Sequence, residues 1–178
     1  AGLRAFNGKA IINSVNADDE KLDIVLPIAR KYGAAVIGLA LSEKGVPQTT
    51  QERIDNAEYI FKKALEYGLK KEDVFIDCLT LTVSAQQEQA VQTLNALRRV
   101  KAELGLHCVL GVSNISFGLP ERSHITESFL VQAMCCGLDL PIINPNVESL
   151  MNAVYSYRVL AGEDENCWDY IMRFSSHS

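Results

Sequence analysis

The sequence predicts an α/β fold in which helices cover a parallel sheet, and three observations carry that prediction. Five short apolar runs recur along the 178 residues: "AIINS" (10–14), "AAVIGLA" (34–40), "VFID" (74–77), "HCVLGV" (107–112) and "PIIN" (141–144). Longer segments of helical period lie between them. The runs are continuous rather than alternating in polarity, which marks strands buried on both faces.

Each element has its own reason. Asn16, Asp18 and Asp19 read as helix-start caps for "EKLDIVLPIARKYG" (20–33), since short polar side chains accept from free N–H groups there. "TQERIDNAEYIFKKALEYGL" (50–69) and "SAQQEQAVQTLNALRRVKAELGL" (84–106) follow the second and third strands. In the latter, Ala90, Val91, Leu94, Leu97 and Leu104 recur at helical spacing, with Gln87, Glu88, Arg98 and Lys101 on the solvated side. "HITESFLVQAMCCGL" (124–138) and "NVESLMNAVYSYRVLAG" (146–162) come next, and "ENCWDYIMRFSSHS" (165–178) reads as a short amphipathic helix with a tail. Gly33, Gly68, Gly105 and Gly137 stand where helices close. No linker or internal break appears, so residues 1–178 are read as part of one domain.

Composition removes several function classes. The chain is 48% hydrophobic and 22% charged, an ordinary globular balance. A net charge of −5, with no more than two adjacent Lys/Arg, argues against a nucleic-acid-binding face. No apolar run approaches the roughly 18 residues of a membrane span, and the N-terminus lacks a signal-peptide pattern, so a cytoplasmic location is expected. Cys78, Cys108, Cys135, Cys136 and Cys167 are odd in number and form no C-x-x-C pair, which favours buried reduced thiols. Met134 and Cys135 read as core filling.

Repeating βα units admit two architectures: an open doubly wound sheet, or part of an eight-unit barrel. In both, ligands sit beyond the carboxyl ends of the strands. Those ends carry Asn13-Ser14, Asp77, Ser113-Asn114 and Asn144. Each alone is unremarkable, because Asp and Asn favour such positions. Together they offer amide donors, amide acceptors and one carboxylate, which suits a flat, neutral heterocycle. A phosphate is not indicated, for neither glycine-rich phosphate motif occurs. Asp77 is the lone carboxylate among the strand ends, no G-x-S-x-G occurs, and no metal-ligand spacing exists, so no metal site is expected. His107 lies at a strand start, away from these ends, while His124 lies near a helix start and His177 in the tail.

"GKAIINSVN" (8–16), "VFIDCLTL" (74–81) and above all "GVSNISFGLPER" (111–122) resemble the pterin-binding methyltransferases. These comprise the folate domain of cobalamin-dependent methionine synthase and the methyltetrahydrofolate:corrinoid protein methyltransferases. "RKYGAAVIGLALSEKGVPQT" (30–49) is similar to the same group. The resemblance implies a (β/α)8 TIM-type barrel of which this chain covers about strands 4–8. It also implies transfer of the N5 methyl of 5-methyltetrahydrofolate to a Co(I) corrinoid. By the same resemblance Asn13 and Asp77 contact the pterin ring, with Asp77 accepting from a ring N–H and the amino group. Asn114 would hydrogen-bond N5 and offset the charge that develops there, while Gly111, Ser113 and Asn144 line the mouth. Phe117 and the loop near Gly118 would face an approaching corrinoid.

The resemblance further implies tetrahydrofolate as methyl carrier, cobalamin on a partner domain or protein, and barrels that pair as homodimers. It leaves the final acceptor open between homocysteine and a corrinoid iron–sulfur protein. Cys78 departs from the family, which often has proline after the aspartate. Dihydropteroate synthases share the barrel but place a Ser-Arg-Lys segment where this chain has Ser113-Asn114. A non-catalytic pterin-binding module is the third reading.

Overall fold

Local chemistry sets the ends of the elements. Asp18 caps helix α2 (Asp19–Tyr32) by accepting from Glu20 N–H at 3.0 Å, and Gly33 closes it in the left-handed conformation. Thr49 and Glu52 form a reciprocal capping box at the start of α3 (Thr50–Glu66). The computed structural model describes residues 1–175, so His177 lies outside the described residues. Its strands are β1 (Ile11–Ala17), β2 (Ala35–Ser42), β3 (Val74–Asp77), β4 (His107–Gly111) and β5 (Leu140–Ile142). The remaining helices are α1 (Gly2–Ala5), α4 (Gln89–Arg99), α5 (Arg122–Cys135), α6 (Glu148–Leu160) and α7 (Trp168–Ser175).

The strands lie in the order β1-β2-β3-β4-β5, every neighbouring pair parallel. A doubly wound sheet reverses its strand order at a switch point, and this sheet never does. Sequential order is that of a barrel wall, so the chain is a partial (β/α) barrel. On its two lateral edges Ile11, Leu140 and Ile142 stand exposed.

One face of the wall carries the core. Val36 and Ala40 of β2, Val74 and Ile76 of β3, and Cys108 and Leu110 of β4 pack with Leu22, Leu26, Ile54, Ile60, Leu97 and Leu130 of the helices. Complete burial of such aliphatic side chains stabilises by about 1.5–3 kcal/mol each. Gly38 lets α3 lie close, for a Cβ there would come within 2.8 Å of Ile60 Cγ2. Among the described residues, no helix is long and apolar enough to cross a membrane.

Several expectations need correction. Asn16 is not a helix cap. It lies within β1, buried, and its Oδ1 has no partner among the described residues. The third helical segment begins at Gln89 rather than 84, after a turn, and ends in a π-helical turn at Val100–Leu104. Val91 faces solvent rather than the core. The thiols are all free, but only Cys78, Cys108 and Cys136 are buried; Cys135 is exposed at the end of α5 and Cys167 is half-buried. Met134 fills core as expected, whereas Cys135 does not.

Candidate functional site

Strand register decides which polar ends can meet. Asn13 pairs with Ile37, which pairs with Phe75, two residues short of Asp77. In a complete barrel of shear 8, neighbouring strands are staggered by about one residue, which over two strands equals in size the offset of two residues that separates Asn13 from Asp77. Both lie on the face opposite the helices, since the residue before each, Ile12 and Ile76, packs on the helix side of the wall.

Asp77 ends β3, and the chain turns at once. Leu79 takes a left-handed φ of 68°, strained for a leucine by about 1–3 kcal/mol. This turn aims the Leu79 N–H at Asp77 Oδ1, 2.8 Å away. Burial pushes the Asp77 carboxyl up to about 6, and the Leu79 hydrogen bond opposes that rise only in part. No protein donor reaches its second oxygen among the described residues. Cys78, where the family often has proline, is fully buried and offers its carbonyl to Arg53 Nε at 2.9 Å, so the turn is held without the ring.

β4 ends in a tight 3₁₀ turn, Val112–Ser116, whose apolar members Val112 and Ile115 are buried and whose Asn114 is exposed. The loops carrying Asp77 and Asn114 are stitched together. Val83 N–H donates to Ile115 O at 3.0 Å, and the hydroxyls of Thr82 and Ser84 each donate to Phe117 O at 2.7 Å. Arg122 braces the same turn from α5, with Nε 3.1 Å from Ser116 Oγ and a terminal nitrogen 2.9 Å from Ser113 O. Its guanidinium lies 4.2 Å above the centre of the exposed Phe117 ring.

The other expected residues are placed less centrally. Ser113 lines a groove of about 300 Å³ with Arg122, Thr126 and Leu150, between the turn and the helices. Asn144 lies two residues beyond β5, and its Oδ1 accepts from Asn146 N–H at 3.0 Å in a local turn. His107 stacks on Phe75 at the start of β4, ring centres 5.5 Å apart, at the opposite end of the strand from Asn114. Among the described residues no group of His, Cys, Asp and Glu could hold a metal ion.

Sequence reasoning missed the residues that hold this site: Arg53, Gln89, Thr93, Thr82, Ser84 and Arg122. One signal was present. Arg53 shares the helical phase of Ala57, Ile60 and Ala64, the buried stripe of α3, where a charged side chain is out of place.

A parallel barrel wall with a carboxylate and amides at its carboxyl ends defines a small-molecule-binding (β/α) barrel. The chain belongs to the pterin binding enzyme family, which it matches over residues 1–144. It is similar to methionine synthase of Mycobacterium leprae, 32% identical over 157 residues, covering 81% of this chain and 13% of that protein. It is also similar to methylcorrinoid:tetrahydrofolate methyltransferase of Eubacterium limosum, 24% identical over 169 residues, covering 92% of this chain and 62% of that one. The chain therefore spans less than two thirds of these relatives. Its fold matches dihydropteroate synthase of Yersinia pestis bound to a pterine-sulfa conjugate, with a TM-score of 0.67, 16% identity and coverage of 87% and 62%.

Proposed function

We propose that residues 1–178 form the C-terminal part of a single pterin-binding barrel domain that moves the N5 methyl of 5-methyltetrahydrofolate to a Co(I) corrinoid. The observation that carries this reading is the pairing of a half-buried carboxylate, Asp77 at the end of β3, with an exposed amide, Asn114 in the turn after β4, on segments tied by the Val83, Thr82 and Ser84 hydrogen bonds. A pterin edge presents adjacent N–H donors, and Asp77 has an oxygen without a protein donor to accept them in a charge-assisted pair. Asn13, on the same face of the wall as Asp77, adds an amide to the same ring. Asn114 supplies the N5 contact: its amide follows the change in charge at that nitrogen as the methyl leaves.

When bound on its own domain or protein, the corrinoid supplies the methyl acceptor. The chain's residues hold the pterin, orient N5 and keep Phe117 at the entrance. Ser113, Gly111 and Asn144 complete the rim, the first two through backbone placement. A homodimer of such barrels and a cytoplasmic setting complete the reading.

A dihydropteroate synthase reading is favoured by the structural neighbours, but the turn after β4 carries Ser113 and Asn114 and no lysine. The deciding experiment is Asn114→Ala in the full chain, assayed with methyltetrahydrofolate and Co(I) cobalamin. Methyl transfer is expected to fall more than tenfold, above about 1.4 kcal/mol of barrier. Undiminished turnover sinks the role of Asn114.

A further inference from the structure

Arg53 is completely buried on the inner side of α3, and no carboxylate pairs with it among the described residues. Its guanidinium is bound by neutral oxygens: Cys78 O at 2.9 Å, Gln89 Oε1 at 2.8 Å and, weakly, Thr49 O at 3.5 Å. Glu52, next to it on α3, acts on it through space but forms no ion pair with it, and burying an arginine without a paired carboxylate is expensive.

One of the groups Arg53 touches is the peptide unit that holds Asp77. The Cys78 carbonyl that accepts from Arg53 and the Leu79 N–H that donates to Asp77 Oδ1 belong to the same amide. Arg53 and Asp77 are therefore the two ends of a chain: guanidinium, carbonyl, amide N–H, carboxylate. A cation on the carbonyl polarises the amide and strengthens the N–H as a donor. On the far side, Thr93 Oγ1 donates to Leu79 O at 2.9 Å, so this turn is gripped from α3 and α4 together. Gln89 extends the grip by donating to Gln48 O at 3.1 Å.

We propose that Arg53 is a positioning residue of the strand-end site, acting on Asp77 through the Cys78–Leu79 peptide to orient the carboxylate and favour its ionised form. Its functional meaning rests on Asp77 being the pterin carboxylate, whereas the coupling itself does not. The charged and titratable groups around Asp77 are few. Arg53 comes from α3. Cys78 follows Asp77 just beyond β3 and Cys108 lies on β4, while α4 brings the neutral Gln89 and Thr93 to this turn. The Cys108 hydrogen bond and burial push the Cys78 thiol far up, so it stays neutral where Asp77 titrates.

The test is a carbon-13 NMR titration of the Asp77 carboxyl in the full chain without ligand, assigned through Asp77→Asn. In Arg53→Gln the midpoint is expected to rise by about one pH unit, with Arg53→Lys falling between the two. A role in packing alone lowers the melting temperature and leaves the midpoint in place; that result, in a folded variant, overturns the proposal. Should Arg53→Gln fail to fold, the unmodified protein decides. There the Leu79 amide and Arg53 Nε resonances are expected to titrate with the Asp77 midpoint, and their failure to do so overturns the proposal. Calorimetry with methyltetrahydrofolate separates the two readings. An unmodified protein that does not bind at any pH defeats the pterin reading and leaves the carboxyl titration to judge Arg53.

Discussion

The Asn114 amide lies against Gly111: a Cβ built on Gly111 would stand 3.2 Å from Asn114 Nδ2 and 3.9 Å from Cγ. Gly111 has a φ of −74° and ψ of 86°, which needs no glycine freedom. The glycine is there for space. β4 ends in a residue without a side chain so that the amide from the following turn can fold back over the strand end.

Gly111→Ala therefore tests the position of Asn114 without deleting it. The added methyl forces the amide out by a few tenths of an ångström or into another rotamer, at a cost to folding of under about 1 kcal/mol, since Asn114 is exposed and free to move. Methyl transfer is expected to fall about tenfold while the melting temperature moves by a few degrees at most, because a small misplacement at the reacting atom is amplified in the rate. Activity equal to the unmodified chain would show that the amide does not act from its place over Gly111.

Arg122 braces the same turn from outside, through Ser116 Oγ, Ser113 O and the face of Phe117. An exposed cation–π contact contributes about 0.5–1 kcal/mol, and Arg122 is exposed. Arg122→Ala is expected to destabilise the fold by about 1 kcal/mol. It should lower kcat for methyl transfer more than it raises KM for the folate, because the turn it loosens carries Asn114 and not Asp77. Arg122→Lys keeps the charge but loses the planar fork, so it should behave like the alanine variant. Stopped-flow single turnovers, which separate binding from transfer, provide the check.

Part of the polar set was legible because short apolar runs must stop: β3 ends in Asp77 and the turn after β4 carries Asn114, but β1 runs on through Asn13 to Ala17, so Asn13 lies within its strand rather than at its end. Periodicity alone did not order the strands, since it is the same in a doubly wound sheet and a barrel wall; the family resemblance did, by implying barrel strands 4–8, and the sequential parallel pairing bears that out. Asn16 and Val91 were not placed correctly, for a cap and a strand residue share composition, and a valine at helical spacing can still face solvent. The supports of the site were hidden for a different reason. Arg53 meets a backbone carbonyl 25 residues away, and Thr82 and Ser84 meet Phe117 O, so their partners are peptide groups that every sequence possesses.

Asp77 makes the last prediction, and its sign is opposite to that of an ordinary stabilising carboxylate. Burial holds its carboxyl near 6 in the folded chain, against the ordinary 3.8. The folded state then binds the proton more tightly than the unfolded state, so stability falls as pH rises from about 4 to about 6. Above that the penalty is complete, up to about 3 kcal/mol. Asp77→Asn removes the charge and keeps the shape, so the variant should melt higher than the unmodified chain at pH 7.5 and lose that advantage below pH 4. Pterin binding runs the other way, because accepting from a ring N–H and an amino group requires the carboxylate. Affinity for methyltetrahydrofolate should weaken about tenfold from pH 7.5 to pH 5 in the unmodified chain, the population of carboxylate falling through its midpoint near 6. In Asp77→Asn it should be weak and flat over that range. Calorimetric titrations and melting curves across pH measure both. An Asn variant that melts no higher at pH 7.5 would remove the buried charge from the account, and one that binds as tightly as before would remove Asp77 from the pterin.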